Sequence, residues 1–334
     1  MSRWNAVKKT YAMAQRLHGL RGGLTLRYFF DALSCSYRHG ASPENYFVLR
    51  FYELDEKQRS CFLTSGRSKA ADRELNRRAT EEEKRLLGRK ELFNKGFAGL
   101  VTRESLYAPD CEPEAFFAFL DRHEAFMIKP VCGTMGQGIE KLHSDEVGDR
   151  EAFYCRCRDG RQLLEELIVQ HPALAGINPS SVNSVRINAA RDQTGKVRLI
   201  GACLKCGGAG AVTDNFHSGG VAYPLDLETG RVSGPGRNNT DITDYTRHPG
   251  SELYMPGFPI PFWEAVKACA EKAMARVPGI GYVGWDIAVS PDGAELIEGN
   301  YNWPGGNIIQ FDGIGKYPAI LSCLGDKDEK HTDG

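Results

Sequence analysis

Residues 126–139, FMIKPVCGTMGQGI, are the stretch on which the interpretation of this chain depends. Three apolar residues predict a short buried strand, and Lys129 and Pro130 follow at its end. Glycines at positions 133, 136 and 138 then predict a close turn, where a backbone without Cβ atoms can bring its N–H groups near an anion. A lysine beside such a turn favours a phosphate site. The alternative is a glycine-rich hairpin with an exposed lysine.

This stretch differs from two common nucleotide-binding motifs. It does not contain G-x-x-x-x-G-K-[ST], so it is not a P-loop. The Lys-Pro pair also separates the strand from the glycines, which excludes the strand-then-GxGxxG arrangement of a dinucleotide site. The nature of the ligand therefore has to be inferred from other parts of the chain.

The composition indicates a folded chain of about two domains. The chain has 334 residues, 41% of them hydrophobic and 25% charged, with a net charge of −1. This charge provides no overall positive field, so nucleic acid is not an expected partner. No apolar run approaches the roughly 20 residues that span a bilayer, and charges interrupt the N-terminal segment where an export signal would be apolar. We therefore expect a cytoplasmic protein without a transmembrane segment.

The ten cysteines are expected to be reduced thiols, because no export signal is predicted. The alternative is a zinc site formed by Cys155 with Cys157 and by Cys203 with Cys206. The first spacing is poor for zinc, and the second pair lies inside a predicted strand. Free thiols are therefore the prediction.

Residues 1–40 form a basic segment with a helical pattern of apolar residues. The segment carries seven basic residues and one acid, Asp31, so its local charge is +6. Gly22 and Gly23 divide the pattern into two predicted helices. Such a segment could rest on an anionic membrane or dock a protein partner. The alternative is a helical cap on the main domain with a solvated basic face.

Helices and a strand are also predicted in three segments on either side of the strand at 126–128. The charge-rich residues 66–92 predict solvated helices, with a capping box at Thr80-Glu81-Glu82-Glu83. Residues 113–122 predict an amphipathic helix, and residues 151–164 predict a strand, a turn and the start of a helix.

Two carboxylates, Glu165 and Glu166, lie within the apolar run 163–169, LLEELIV. Acids inside an apolar run are costly unless they find partners. At least one of them should therefore meet a cation, an amide or a hydroxyl group. The alternative is a helix with two exposed glutamates.

The second half of the chain is predicted to be rich in β-structure. Residues 185–190 and 197–205 alternate as paired strands across a turn at 193–196. Residues 207–220 predict a long polar and glycine-rich loop, and such loops in compact domains are more often functional than idle. Further predicted elements are a hairpin over 221–232 and a helix over 262–277.

Residues 282–289 and 294–298 predict a hairpin that carries a candidate metal site. Asp286 lies within the first strand and Glu298 at the end of the second, so the pairing brings them close together. Asn300 points to the same side as Glu298 if the chain stays extended. Two carboxylates and an amide oxygen are ligands that suit Mg²⁺. The alternative is that both acids pair with nearby arginine or lysine residues.

Together these features resemble the ATP-grasp superfamily, and in particular its sugar-transfer-associated family. The resemblance covers about residues 40–322. It rests on the order of NK at 94–95, IKP at 128–130 with the Gly-rich loop, EELI at 165–168, VRI at 185–187 and WDI…EGN over 285–300. It implies an ATP-grasp fold of the α+β class, in which two α+β subdomains clamp ATP, with a helical N-terminal region. The implied division is a helical region 1–90, a subdomain 91–168 with the Gly-rich loop, a C-terminal subdomain 169–324 with the metal site, and a polar tail 325–334.

The resemblance also implies an ATP site and two Mg²⁺ ions. Lys95 would approach the α-phosphate, Lys129 the α- and β-phosphates, and Glu165 with the next two backbone units would contact the adenine edge. The implied ATP-binding residues are Lys95, Lys129, Gly133, Thr134, Met135, Gly136, Gln137, Gly138, Glu165, Glu166, Leu167 and Ile168. Glu298 would bridge the two Mg²⁺ ions, and Asp286 and Asn300 would each hold one.

On the acceptor side, the resemblance implies that Arg186 steadies the transferred phosphoryl group or the acyl phosphate. His217 could act as general base toward an amine, or only as a hydrogen-bonding residue. The implied substrate-side residues are Asn183, Ser184, Asn215, His217, Gly219 and Gly220. Many members place an acid that binds the ribose hydroxyls where this chain has Gln170 and His171, so the ribose contact is unassigned.

The expected activity is ATP-dependent joining of a small-molecule carboxylate to an amine or thiol through an acyl phosphate, with release of ADP and phosphate. This reaction needs no enzyme nucleophile, and the sequence contains no Ser/His/Asp or Cys/His signature. By the family association, an amino-acid or sugar-linked substrate is expected. The alternatives are a phosphotransferase acting on a hydroxyl group and a non-catalytic partner module of a polysaccharide-assembly system.

Overall fold

The computed structural model describes residues 3–131, 138–208, 216, 219–239 and 242–325. Within these residues the chain forms two antiparallel sheets surrounded by helices, so the fold is α+β, as predicted. The helices are α1 (Arg3–Arg21), α2 (Thr25–His39), α3 (Pro43–Val48), α4 (Glu56–Ser60), α5 (Ser65–Leu75), α6 (Glu81–Gly88), α7 (Lys90–Gly96), α8 (Pro113–Arg122), α9 (Arg150–Asp159), α10 (Pro172–Ala175), α11 (Trp263–Ala275) and α12 (Tyr317–Leu324). The strands are β1 (Ser105–Tyr107), β2 (Ala125–Pro130), β3 (Glu140–His143), β4 (Gln162–Glu166), β5 (Ser184–Arg191), β6 (Val197–Cys206), β7 (Val221–Leu225), β8 (Tyr282–Ser290) and β9 (Gly293–Asn300).

The first sheet has the strand order β1-β4-β2-β3, with every neighbouring pair antiparallel. Phe116 and Phe119 of α8 and Phe153 of α9 pack in one hydrophobic cluster with Phe126 of β2. The strand predicted at 126–128 is confirmed as part of β2, and the helix predicted at 113–122 is α8 with those bounds. The first sheet thus fixes Lys129 near the end of a strand, as the sequence indicated.

The order of elements predicted for residues 151–164 is wrong. The structure has helix α9 first and strand β4 after it, with a turn between them. Phe153, Tyr154 and Cys157 are buried at helical spacing, and this spacing rather than alternation determines the local structure. Glu165 and Glu166 therefore lie on a strand and not on an exposed helix.

The second sheet has the strand order β7-β6-β5-β8-β9 and is also antiparallel. Because side chains alternate along a strand, the two faces of this sheet pack against different helices. Val185 and Trp285 belong to the cluster that includes Val266 of α11. Ala190 and Tyr282 belong to a second cluster that includes α12 and the N-terminal helices. The predicted strands at 185–190, 197–205, 282–289 and 294–298 and the helix at 262–277 are confirmed in β5, β6, β8, β9 and α11.

The N-terminal helices pack on the second sheet. The break predicted at Gly22-Gly23 is confirmed, and both glycines have positive φ angles, 72° and 88°. The capping box predicted at residues 80–83 is also present, at the start of α6. Ala14 and Ala32 share a hydrophobic cluster with the second sheet. We therefore propose that residues 1–90 and 169–324 share one hydrophobic core. The division of the chain into 1–90, 91–168, 169–324 and 325–334 also stays a proposal.

The structure also describes the cysteines and the lengths of the helices. The nine cysteines in the described ranges are free thiols. Over those same ranges, the structure contains no helix with both the length and the apolar character needed to cross a membrane.

Arg103 connects the two sheets. Its Nη1 donates to Glu295 Oε1 at 2.8 Å and to the backbone oxygen of Leu296 at 2.9 Å, both in β9. Its Nε lies 3.3 Å from Glu165 Oε2 in β4. Burial would lower the pKa of this guanidinium, but the charges of Glu165 and Glu295 outweigh burial and raise it. One buried cation therefore connects carboxylates from both sheets.

Replacing Arg103 by Met should destabilise the protein strongly. The change leaves the buried carboxylates of Glu165 and Glu295 without this partner, and breaking a buried ion pair costs about 3–5 kcal/mol. Urea unfolding of the variant and the wild type measures this loss. Arg77→Met, at an exposed position, is the control and should change stability by less than about 0.5 kcal/mol. An equally small loss for Arg103→Met would show that the two sheets do not depend on this contact.

Candidate functional site

Lys129 and Glu165 form an ion pair on the first sheet. Lys129 belongs to β2 and Glu165 to β4, which are adjacent, and the pairing of Met127 with Glu165 puts both side chains on one face. Asn94 of α7 donates to Glu165 Oε1 at 2.7 Å, and Arg103 approaches the other oxygen. Burial alone would raise the pKa of Glu165, but Arg103 and Lys129 hold it well below its usual range. Glu165 thus meets two cations and an amide.

Asp286 is the centre of a second charged cluster, on the second sheet. Its carboxylate is 2% exposed. Arg186 on the adjacent strand β5 donates from Nε to Oδ1 at 2.6 Å and from Nη2 to Oδ2 at 2.7 Å. Lys205 on β6 donates to Oδ2 at 3.1 Å. Burial acts to raise the pKa of Asp286, but the two cations outweigh it and lower the pKa well below its usual range.

Glu298 lies opposite Asp286 in the β8–β9 hairpin, as the sequence predicted. Asn300 Nδ2 donates to Glu298 Oε1 at 3.0 Å, so the two side chains do point to the same side. The Glu298 side chain is exposed to solvent. Partial loss of solvent around its carboxylate and the nearby charge of Asp286 both raise the pKa of Glu298. Unlike Asp286, this carboxylate is held in a setting that disfavours its negative charge.

The two clusters are linked through β9. Arg103 contacts Glu165 on one side and the backbone oxygen of Ile297 at 3.5 Å on the other. Ile297 directly precedes Glu298, which faces Asp286. A continuous path of described contacts therefore leads from Lys129 on the first sheet to Asp286 on the second.

The candidate metal ligands meet the requirements of Mg²⁺ in part. The raised pKa of Glu298 beside a second carboxylate is the condition that a cation between them would relieve. Glu298 and Asn300 supply oxygen atoms, which Mg²⁺ prefers. The alternative that arginine and lysine pair with the acids is what the structure shows for Asp286, so Asp286 can add only a remaining lone pair. Over the described ranges, the chain has no group of three or more His, Cys, Asp and Glu side chains placed to hold a metal ion. The fit therefore rests mainly on Glu298 and Asn300.

The remaining implied ATP-binding residues occupy different settings. Lys95 is exposed, and its Nζ lies 3.5 Å from Asp110 Oδ2. The Glu166 side chain accepts from the backbone N–H of Glu104 at 2.9 Å, and its own N–H donates to the backbone oxygen of Glu104. Leu167 and Ile168 are half-buried after β4, and Gly138 has a φ of 71°. Gly133, Thr134, Met135, Gly136 and Gln137 lie outside the described residues.

The substrate-side role of Asn183 stays a prediction. Its side chain is fully buried, and Nδ2 donates to the backbone oxygens of Leu174 and Asn178 and to Oε1 of Gln170. Gln170 occupies the position where many members of the family have a ribose-binding acid. Its Nε2 donates to the backbone oxygens of Asn178 and Ser181. Both side chains therefore hold together the segment between the two sheets.

The other implied substrate-side residues are only partly described. Ser184 is buried at the start of β5. Gly219 has a φ of 92°, and Gly220 is buried next to β7. Asn215 and His217 lie outside the described residues, so their roles stay predictions.

Four residues of these clusters were not identified from the sequence: Asn94, Arg103, Lys205 and Glu295. The sequence around Lys205 could have predicted its ion pair, because a lysine inside the apolar run LIGACLKC needs a buried partner. Arg103 lies outside the described strands and helices, and no local pattern distinguishes it. Asn94 is part of the NK motif, and the motif alone does not indicate its contact with Glu165.

Comparison with known sequences gives a family match for slightly less than half of the chain. Residues 151–316 match the model of the family described as sugar-transfer associated ATP-grasp. Together with the two antiparallel sheets and the N-terminal helices, this identifies an ATP-grasp fold. Comparison with curated proteins gives no match.

Several solved structures are distantly similar. The ADP complex of purK, an N5-carboxyaminoimidazole ribonucleotide synthetase, has a TM-score of 0.41 and 10% identity over 64% of this chain and 45% of that one. ATP-grasp ligase PsnB with a phosphomimetic precursor variant, Mg and ADP has a TM-score of 0.44 and 16% identity over 73% and 59%. D-alanyl-alanine synthetase A from Vibrio cholerae O1 biovar eltor has a TM-score of 0.46 and 12% identity over 74% and 66%. This chain thus spans about half to two thirds of their lengths, and at these scores the similarities carry no inference about activity.

The buried carboxylates should make stability depend on acid pH. Glu165 and Asp286 have lower pKa values in the folded chain than when unfolded, so the unfolded chain binds more protons in acid. Their contribution is complete above the ordinary carboxyl pKa of roughly 4 and is lost as the pH falls through the folded values. The measurement is the free energy of unfolding in urea between neutral and acid pH. Glu165→Gln should flatten this dependence, and the exposed Glu271→Gln should not; equal slopes would contradict the assignment.

Proposed function

From the family match of residues 151–316 and from the charged clusters on the two sheets, we infer that the protein is an ATP-dependent ligase. The observation that carries this proposal is the set Arg186, Lys205, Asp286 and Glu298 on one face of the second sheet. Arg103 joins this face to Lys129 on the first sheet. Cations and oxygen ligands in one place suit the transfer of a phosphoryl group.

We propose that the reaction joins a carboxylate to an amine or thiol. A carboxylate oxygen attacks the γ-phosphorus of ATP, the bond to the β-phosphate oxygen breaks, and ADP leaves. The nucleophile then attacks the acyl carbon, the bond from carbon to the phosphate oxygen breaks, and the nucleophile loses one proton. The products are an amide or thioester, ADP and phosphate, and no enzyme group becomes covalently bound.

In this proposal the cations of the site act on the transferred phosphoryl group. Two hydrogen bonds to Asp286 hold the Arg186 guanidinium in place, and its third nitrogen donates to the backbone oxygen of Pro304. Such a fixed guanidinium costs little reorganisation when charge develops near it. Lys129 and Lys205 add positive charge from the first and second sheets. His217 remains a candidate base for the incoming amine.

The residues that would hold Mg²⁺ are Glu298, Asn300 and, through a remaining lone pair, Asp286. The proposed number of ions remains two. A bound Mg²⁺ offsets phosphate charge and aligns the phosphate oxygens. Glu298 supports this role because loss of solvent and the neighbouring Asp286 carboxylate raise its pKa, and a cation between the two carboxylates would relieve their repulsion. Lys95 and Glu165 to Ile168 stay the proposed contacts for the nucleotide, and a small-molecule carboxylate and amine stay the proposed substrates.

The first test is nucleotide turnover with Mg-ATP against a panel of carboxylates and amines, with ADP resolved from AMP. ADP and free phosphate that form only when both substrates are present support the ligase, and the responding pair identifies the substrate class. ADP with a phosphorylated hydroxyl acceptor would instead establish a phosphotransferase. No nucleotide binding at all would contradict the proposal and favour the non-catalytic module.

Glu298→Gln should abolish most of the turnover while the chain stays folded. The change removes a carboxylate charge but keeps the size of the side chain, and loss of one such electrostatic contact lowers kcat by about 10²–10³-fold. Steady-state ADP release measures the effect, with far-UV circular dichroism as the check of folding. The matched control is Glu271→Gln on the exposed side of α11, which should keep full activity. Full activity in Glu298→Gln would refute the metal assignment.

A further inference from the structure

Helix α2 has two apolar faces, and only one of them is covered. Ala32, Cys35 and His39 are buried against the core. Leu26, Phe30, Leu33 and Tyr37 recur at i, i+4, i+7 and i+11, and all four are exposed. Tyr37 is 93% exposed and Phe30 61%. A helix that only caps a domain needs one apolar face, so the second face calls for a partner.

The exposed face continues onto helix α1. Tyr11 of α1 packs edge-on against Phe29, with ring centroids 5.8 Å apart, and Phe29 packs against Phe30. His18 of α1 contacts Thr25 of α2, so the two helices run antiparallel from the turn at Gly22-Gly23. We call this surface the α1–α2 patch. Its residues are Trp4, Tyr11, Leu26, Phe30, Leu33 and Tyr37.

Basic residues accompany the patch. Lys8 Nζ lies 5.5 Å from the centre of the Trp4 ring. Arg27 and Arg38 directly follow Leu26 and Tyr37, so they flank the stripe on one side of α2, where Arg38 also lies 3.4 Å from Glu56. Asp31, the one acid among residues 1–40, is turned to Arg59 and Tyr46. The patch therefore combines apolar side chains with positive charge.

The charge of the whole chain identifies the kind of partner. Residues 1–40 carry +6 and the chain carries −1, so the remaining residues carry −7. A second copy seated on this patch would bring basic residues against basic residues, which disfavours self-association. An anionic bilayer surface offers negative headgroups for the basic residues and an apolar layer for the side chains, and tryptophan and tyrosine favour that interface.

We propose that the α1–α2 patch binds the surface of an anionic lipid bilayer. The two helices lie in the plane of the interface, with the stripe of α2 inserted and the basic residues at the headgroups. This proposal does not depend on the ligase assignment, because no patch residue belongs to the candidate site.

The test is co-sedimentation of the full chain with vesicles of phosphatidylcholine alone and of phosphatidylcholine mixed with phosphatidylglycerol. Wild type should bind the mixed vesicles, bind the neutral ones much more weakly, and dissociate as salt screens the charges. The double variant Leu26→Ser with Tyr37→Ser should bind at least about tenfold more weakly, because two apolar side chains no longer insert into the bilayer. Arg27→Gln should reduce the preference for the anionic vesicles.

Matched controls separate the patch from general effects. Leu253→Ser with Tyr254→Ser makes the same substitutions at exposed residues elsewhere, and Arg77→Gln removes an exposed charge elsewhere. Both should leave binding unchanged, and circular dichroism checks that every variant is folded. As a readout independent of these variants, vesicle binding should shift the emission of wild type to shorter wavelength, and Trp4→Phe should remove most of that shift.

Four outcomes would overturn the proposal. They are no binding to the anionic vesicles, equal binding of the double variant, a wild-type dimer that the double variant dissociates, and specific capture of an acidic protein without lipid binding. The third would assign the patch to a second copy, and the fourth to a protein partner.

Discussion

The ion network of Arg103 is the contact on which the arrangement of the two sheets depends. Its guanidinium is buried between Glu165 of β4 and Glu295 of β9, so separating the sheets would leave charges unpaired in a low-dielectric interior. The same residue contacts the backbone next to Glu298. The distance between Lys129 on one sheet and Glu298 on the other is therefore constrained by one side chain.

Both charged clusters are balanced in sign. The first contains Lys129 and Arg103 with Glu165 and Glu295, and the second contains Arg186 and Lys205 with Asp286 and Glu298. A polyphosphate that enters alone would meet cations already paired with carboxylates. A metal ion that enters alone would meet Asp286 already paired with Arg186 and Lys205, next to Glu298. Only an anion and a cation arriving together keep the balance, which is how a phosphate complex of Mg²⁺ binds.

Local patterns in the sequence were enough for elements whose burial follows one period. The helix at 113–122, the strand at 126–128 and the hairpin of β8 and β9 were predicted in this way, and so was the meeting of Asp286 with Glu298. The order of α9 and β4 was missed because a short helical spacing resembles an irregular strand. Partners far apart in sequence could not be predicted: Arg103 is 192 residues from Glu295, and Lys205 is 81 from Asp286.

The two-faced helix α2 relates the N-terminal patch to the candidate site. Its buried residues Ala32 and Cys35 share a hydrophobic cluster with Cys203, which pairs with Arg186 across β5 and β6. Packed helices lie about 8–10 Å from their neighbours, so a surface held at the outer face of α2 is separated from the rest of that cluster by one helix layer. Because the core on the other side of α2 is continuous with the second sheet, binding at the patch would fix the orientation of the sheet. A protein bound in this way would present Arg186 and Asp286 at a constant height above the membrane surface.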